Sequence, residues 1–130
     1  MLDTNILISM FLFPTERINR MRNILCTEHQ IVLSSYVVNE LKEVFFRKFK
    51  NNIRELEEFL ASFKFVLFQT PKHISKNDYP KIRDVSDLPV LTSAIQSGVD
   101  IFITGDKDFS EIDISKPLII TPSTFLKRFG

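Results

Sequence analysis

The sequence predicts an α/β fold of three layers, α/β/α, around a central, mainly parallel sheet. Three observations carry that expectation. Short apolar runs alternate with amphipathic stretches along the chain. The runs are brief and rich in β-branched or aromatic residues, as buried strands are. Helices interleaved with such strands call for a parallel sheet covered on both faces. With 130 residues, 44% hydrophobic and 13 Phe, the chain has the size of one domain and can bury a core, so residues 1–130 are read as a single domain.

Each element follows from its own stretch. Met1-Leu2 is the stump of a first strand, and Asp3-Thr4-Asn5 then leads into an apolar run that starts a helix. Arg17, Arg20 and Arg22 decorate a further helical stretch. Ile31-Val32-Leu33 reads as a short buried strand. Val37, Val38, Leu41, Val44, Phe45 and Phe49 then make one apolar helical face, capped by Ser34 or Ser35. After Asn51-Asn52 another helix runs from Arg54 to Phe63, followed by Phe65-Val66-Leu67-Phe68 as a buried strand and a loop over 69–83. Asp87 caps a helix that contains Pro89, Val90, Leu91, Ala94 and Ile95 and stops at Gly98. Ile101-Phe102-Ile103 and Leu118-Ile119-Ile120 are the last two strands, and Thr121-Pro122 opens a final helix holding Phe125, Leu126 and Phe129.

Composition excludes several classes. A single Cys26 rules out a disulfide framework within one chain, and His29 and His73 stand too far apart in sequence for a zinc motif. No apolar run approaches the roughly 18 residues of a membrane span, and the N-terminal stretch does not read as a basic n-region followed by an apolar h-region, so a cytoplasmic protein is expected. Seventeen Lys+Arg against sixteen Asp+Glu give a net charge of +1, which by itself does not mark a nucleic-acid binder.

The acids are more informative. In "FITGDKDF", residues 102–109, a strand ends at Thr104-Gly105 and delivers Asp106 and Asp108. Functional groups in open parallel sheets collect outside the carboxyl ends of strands. Asp3 leaves a second such end. Glu40 lies one turn into its helix on the border of the apolar stripe, whereas Glu43 lies further round toward solvent. Asp87 at a helix start joins them at the mouth, with Asp84 upstream as a helper. Singly, each has an ordinary reading: Asp3, Asn5 or Asp87 as caps, Asp106 and Asp108 as turn residues, Glu40 as a solvated helix residue. Together they would repel one another and have raised pKa values unless a cation joined them. Mg²⁺ or Mn²⁺, hard ions that take oxygen ligands, remove that cost and can activate water against a phosphodiester.

"LDTNILIS", "VLSSYVVNELKEV", "RDVSDLPVLTSAIQSGVDIFITGDKDF" and "IITPSTFLKRF" resemble, in order and spacing, the successive motifs of PIN-domain ribonucleases. The resemblance is to the bacterial, VapC-like branch, the toxin components of toxin–antitoxin systems, and it runs nearly end to end. It implies that Asp3, Glu40, Asp87 and Asp106 are the four metal-binding acids, supported by Asn5 and Thr104. Asp84 and Asp108 match frequent extra acids of the family. The implied activity is metal-dependent endonucleolytic cleavage of RNA by a metal-activated water, with a cognate antitoxin blocking the site. Homodimers are common in that family. Its members usually carry several more residues of strand before the first Asp, so either the first strand is short or the natural start lies upstream.

Arg47, Lys48, Lys50 and Arg54, clustered with Phe46 and Phe49, fit phosphate contacts to RNA, and equally fit a solvated helix face. Phe45 and Phe49 fall on the buried stripe and Phe63, Phe65 and Phe68 read as packing. His73 reads as a surface histidine. A receiver domain would place its Lys-Pro after the last strand, whereas Lys116-Pro117 precedes it. Aspartyl phosphatases need a second Asp where Asn5 stands. The remaining alternative is a non-catalytic version of the PIN fold that binds RNA or protein; clustered acids argue against it, since a scaffold gains nothing from them.

Overall fold

The structure, a computed structural model, describes residues 1–74 and 84–130. Of the loop expected over 69–83, residues 75–83 lie outside the described residues. The chain runs α1 (Thr4–Leu12), α2 (Glu16–Glu28), β1 (Ile31–Ser34), α3 (Ser35–Lys48), a 3-10 turn (Lys50–Asn52), α4 (Ile53–Ala61) and β2 (Phe65–Phe68). It continues with a 3-10 turn (Val85–Asp87), α5 (Leu88–Gln96), β3 (Ile101–Ile103), a 3-10 turn (Lys107–Phe109), β4 (Leu118–Ile120) and α6 (Pro122–Phe129).

Local chemistry sets most of these boundaries. Ser34, the last residue of β1, caps α3 by accepting from Val37 N, while the Ser35 hydroxyl accepts instead from Thr70 N. Thr15 caps α2 through Ile18 N, and Thr121 caps α6 through Thr124 N, with Pro122 in its first turn. Gly98, at φ +72°, takes the left-handed conformation that closes α5. Asp87 holds the N-cap position of α5 but makes no side-chain capping bond, contrary to the expectation from sequence. Its backbone is already helical, at φ −85° and ψ −6°, because the preceding 3-10 turn runs directly into α5. Asp84 does the capping one step earlier, accepting from Ser86 N.

The strands pair in parallel, β1 with β2 and β3 with β4. Met1-Leu2 adds to the open side of β3: Ile103 N donates to Met1 O, Asp3 N to Ile103 O, and Leu2 bridges Ile103. Two residues are too few for a full strand, and among the described residues no ladder joins this segment to β1. β2 departs from the buried strand expected of it: Val66 and Leu67 are 46% and 47% exposed. Among the described residues it pairs with β1 alone, which makes it an edge.

Helix α1 is apolar almost all round because it is wedged between neighbours. It buries Ile6, Leu7 and Met10, and packs on α3 and α2. Phe11 lies 5.4 Å from Phe45 of α3 and 5.1 Å from Phe59 of α4, ring centre to ring centre. On the other flank α2 meets α6, and α5 meets both α3 and β1. The core joins these through Met21, Leu33, Val37, Leu41, Phe45, Leu91, Phe102 and Phe125, all fully buried. No helix among the described residues is long and apolar enough to cross a membrane.

Candidate active site

The packing brings two strand ends and two helix segments to a common cleft. Asp3 is the last rung of the Met1-Leu2 pairing and the N-cap of α1; its Oδ1 accepts from Thr4 N at 2.8 Å. Thr104 follows β3 directly, is buried, and donates its hydroxyl to Asp3 Oδ2 at 2.7 Å. The same Thr104 oxygen accepts from Asp106 N at 3.0 Å, so one hydroxyl fixes two acid-bearing segments relative to each other. Asp106 in turn caps the 3-10 turn at Lys107–Phe109, its Oδ1 accepting from Asp108 N at 2.9 Å. From α3, Glu40 accepts from the Thr4 hydroxyl through Oε1. The cleft, of about 420 Å³, is lined by Asp3, Glu40, Asp87 and Asp106 together with Thr4, Asn5, Glu43 and Arg47.

All four predicted acids therefore face one space, and the ordinary roles foreseen for Asp3 and Asp106 as cap and turn residues are real as well. A capping bond uses one lone pair of one oxygen and leaves the rest of the carboxylate available. Electrostatics bear the cost of the gathering. Burial raises the pKa of Asp3, opposed by its bonds from Thr104 and Thr4 and aided by the charges of Glu40 and Asp106. Burial also pushes Asp87 up to about 6, with Asp106, Asp84, Asp3 and Asp108 adding to the effect. Asp87 Oδ2 is buried without a hydrogen-bond partner among the described residues. An all-carboxylate donor set with one buried, unpartnered oxygen fits a hard divalent cation, whose charge would relieve both the repulsion and the orphaned acceptor.

Asp84 and Asp108 gather around Asp87 and do not line the cleft. With Asp87 they form a group of three whose carboxylate oxygens all lie within 4.8 Å of one another. Asp87 thus belongs both to the cleft and to this outer group. Asp84 is held ionised by the hydroxyl and backbone of Ser86, which lower its pKa. Asn5 is exposed and lines the cleft.

Of the basic residues singled out from sequence, Arg47 alone lines the acid cleft. Lys50 lines a neighbouring groove, and Arg54 is paired with Glu58 at 3.7 Å on the solvent face of α4. Lys48 is exposed and lines neither. Sequence reasoning passed over Thr4 and Tyr36 as site residues and set Glu43 aside as facing solvent. Thr4 links α1 to Glu40, and only its place beside Asp3 hinted at that. Glu43 is exposed, as its position on the helix predicts, yet it lines the cleft one turn beyond Glu40. Tyr36, with its hydroxyl 3.5 Å from Ser86 O, has its pKa raised by burial and by Glu40, Asp87, Glu43 and Asp84. Lys116 pairs with Asp100 at 3.4 Å, at the opposite ends of the strands from the acids, which removes the receiver-domain reading. His73 is exposed.

Residues 1–108 match the PIN domain family, and the chain belongs to that family. Its fold is similar to that of a chain in the crystal structure of VapBC2 from Rickettsia felis bound to a DNA fragment from their promoter. The superposition has a TM-score of 0.66 at 19% identity and covers 92% of this chain and 95% of that one. No curated protein matches the sequence.

Proposed function

We propose that the protein is an endoribonuclease, cleaving RNA phosphodiesters with Mg²⁺ or Mn²⁺ held by Asp3, Glu40, Asp87 and Asp106, and that residues 1–130 act as one domain. The observation that carries the reading is the convergence of these four acids, from the first strand end, α3, the start of α5 and the end of β3, on one cleft. Membership of the PIN domain family supports the same conclusion. A divalent ion bound there supplies Lewis-acid chemistry, lowering the pKa of water and neutralising charge on the phosphodiester. The chain's own part is positional. Thr104 and Thr4 N fix both oxygens of Asp3, and the Thr4 hydroxyl fixes Glu40. Arg47 at the cleft wall offers a cation to a substrate phosphate.

A toxin role in the cytoplasm, with a cognate antitoxin as protein partner, is part of the proposal. It is supported by the resemblance to toxin components and by the fold shared with VapBC2. Homodimerisation, common in the resembling branch, belongs to the same reading.

The test is cleavage of a labelled structured RNA by the purified protein in Mn²⁺, Mg²⁺ or EDTA, beside Asp106→Asn prepared identically. Cutting should require metal and vanish in the variant. Asparagine keeps the Oδ1 acceptor that caps the 3-10 turn, so the fold is retained. Normal cleavage by Asp106→Asn would sink the assignment of the acids. Failure of the wild type to bind either metal would favour the non-catalytic reading of the same fold.

A further inference from the structure

Beside the acid cleft lies a groove of about 790 Å³ between α3 and α4. Lys42, Arg47 and Lys50 line it with Glu43 and Glu57, and Phe46 stands in it 67% exposed. A single exposed phenylalanine carries no message. Its surroundings do. Lys50 Nζ lies 5.8 Å from the centre of the Phe46 ring, so the ring already holds a cation against its face. Lys42, Arg47 and Lys50 form no ion pair among the described residues, whereas Arg54 and Lys116 do. Glu43 and Arg47 line both the groove and the acid cleft, so the two are adjacent. Ile53, half-buried, and Leu56, buried, form the apolar floor, and Phe46 is the most exposed apolar side chain of the lining.

We propose that this groove is a track for single-stranded RNA leading into the acid cleft: one base stacks on Phe46, and neighbouring phosphates contact Lys42, Arg47 and Lys50. The inference rests on the nuclease reading and extends it to the path of the substrate. An aromatic face flanked by unpaired cations is what sequence-tolerant single-strand binding needs, because every base has a face to stack and every nucleotide a phosphate. The exposed ring of Phe46 among these cations favours this occupant over an acidic peptide, which carries similar charge but has no base to stack on it.

The experiment is fluorescence anisotropy of an end-labelled oligouridylate in EDTA, where binding is read without cleavage, with wild type, Phe46→Ala, Phe46→Tyr and Lys50→Ala. Phe46→Ala should bind about tenfold more weakly, the effect of losing one stacked base, and Phe46→Tyr should bind like the wild type. Lys50→Ala should reduce the slope of log affinity against log salt by about 0.7. Unchanged affinity and slope in Phe46→Ala and Lys50→Ala would overturn the track, as would a wild type that does not bind oligouridylate. A Phe46→Ala protein altered only in self-association by sedimentation would also overturn it, and assign the groove to a second copy. Binding that depends on Phe46 in a protein that never cuts RNA would leave the track standing and remove the nuclease reading. Metal-dependent cutting with Phe46-independent binding would do the reverse.

Discussion

Asp87 is the residue on which the electrostatics of the cleft turn. Its carboxyl, near 3.8 as a free side chain, is pushed up to about 6 by burial and by four neighbouring aspartates. A folded-state value above the unfolded one means that the folded chain keeps its proton to higher pH. Stability from this group is therefore fully present below about pH 4 and is lost as the pH rises through about 6. Asp3, also raised, acts in the same direction. The melting temperature of the metal-free protein should carry that decline, and Asp87→Asn should flatten it and melt higher at neutral pH. A variant whose pH profile parallels the wild type would show that Asp87 does not bear the repulsion. Sequence made Asp87 visible as an acid at a helix start and assigned it the obvious task of capping. The cap is instead one step upstream at Asp84, because a 3-10 turn precedes α5, and spacing along the chain does not reveal whether a helix starts abruptly or through such a turn.

At the level of elements, the amphipathic pattern of α3 was readable because burial repeats with the helical period: Val37, Leu41 and Phe45 are all fully buried. Phe45 and Phe46 make the sharpest contrast. Phe45 is fully buried, 5.4 Å from Phe11 and 5.3 Å from Phe49, while its neighbour Phe46 is 67% exposed. Phe45→Ala should cost about 3–5 kcal/mol in urea unfolding, from lost burial and the cavity left between α1, α3 and α4. Phe46→Ala should stay within about 0.5 kcal/mol of wild type. Equal costs would mean that the helix is rotated from the orientation described. Strand β2 was less legible, since "FVLF" is as apolar as a central strand. Its edge position follows from pairing far along the chain, which local composition does not encode.

For the whole molecule, the open question is which oxygens take the cation, because two overlapping acid groups share Asp87. Asp3, Glu40, Asp87 and Asp106 line the cleft, and Asp84, Asp87 and Asp108 lie within 4.8 Å of one another. Motif order along the chain singled out the four, since Asp3, Asp87 and Asp106 sit at strand ends and helix starts; the tightness of the outer three depends on how the turn before α5 meets the turn after β3. Linkage separates the two. An ion that binds only the folded protein stabilises it by RT ln(1 + [L]/Kd), about 2.7 kcal/mol at a hundredfold excess over Kd. Mn²⁺ should therefore raise the melting temperature of the wild type, and EDTA should reverse the rise. With the ion on the four cleft acids, Asp3→Asn and Glu40→Gln should lose most of the rise while Asp84→Asn and Asp108→Asn keep it. The opposite pattern would move the ion to the outer three and withdraw Asp3 and Glu40 from the centre. Asp87→Asn loses the rise in either case, so it tests for a cation and the other four variants locate it.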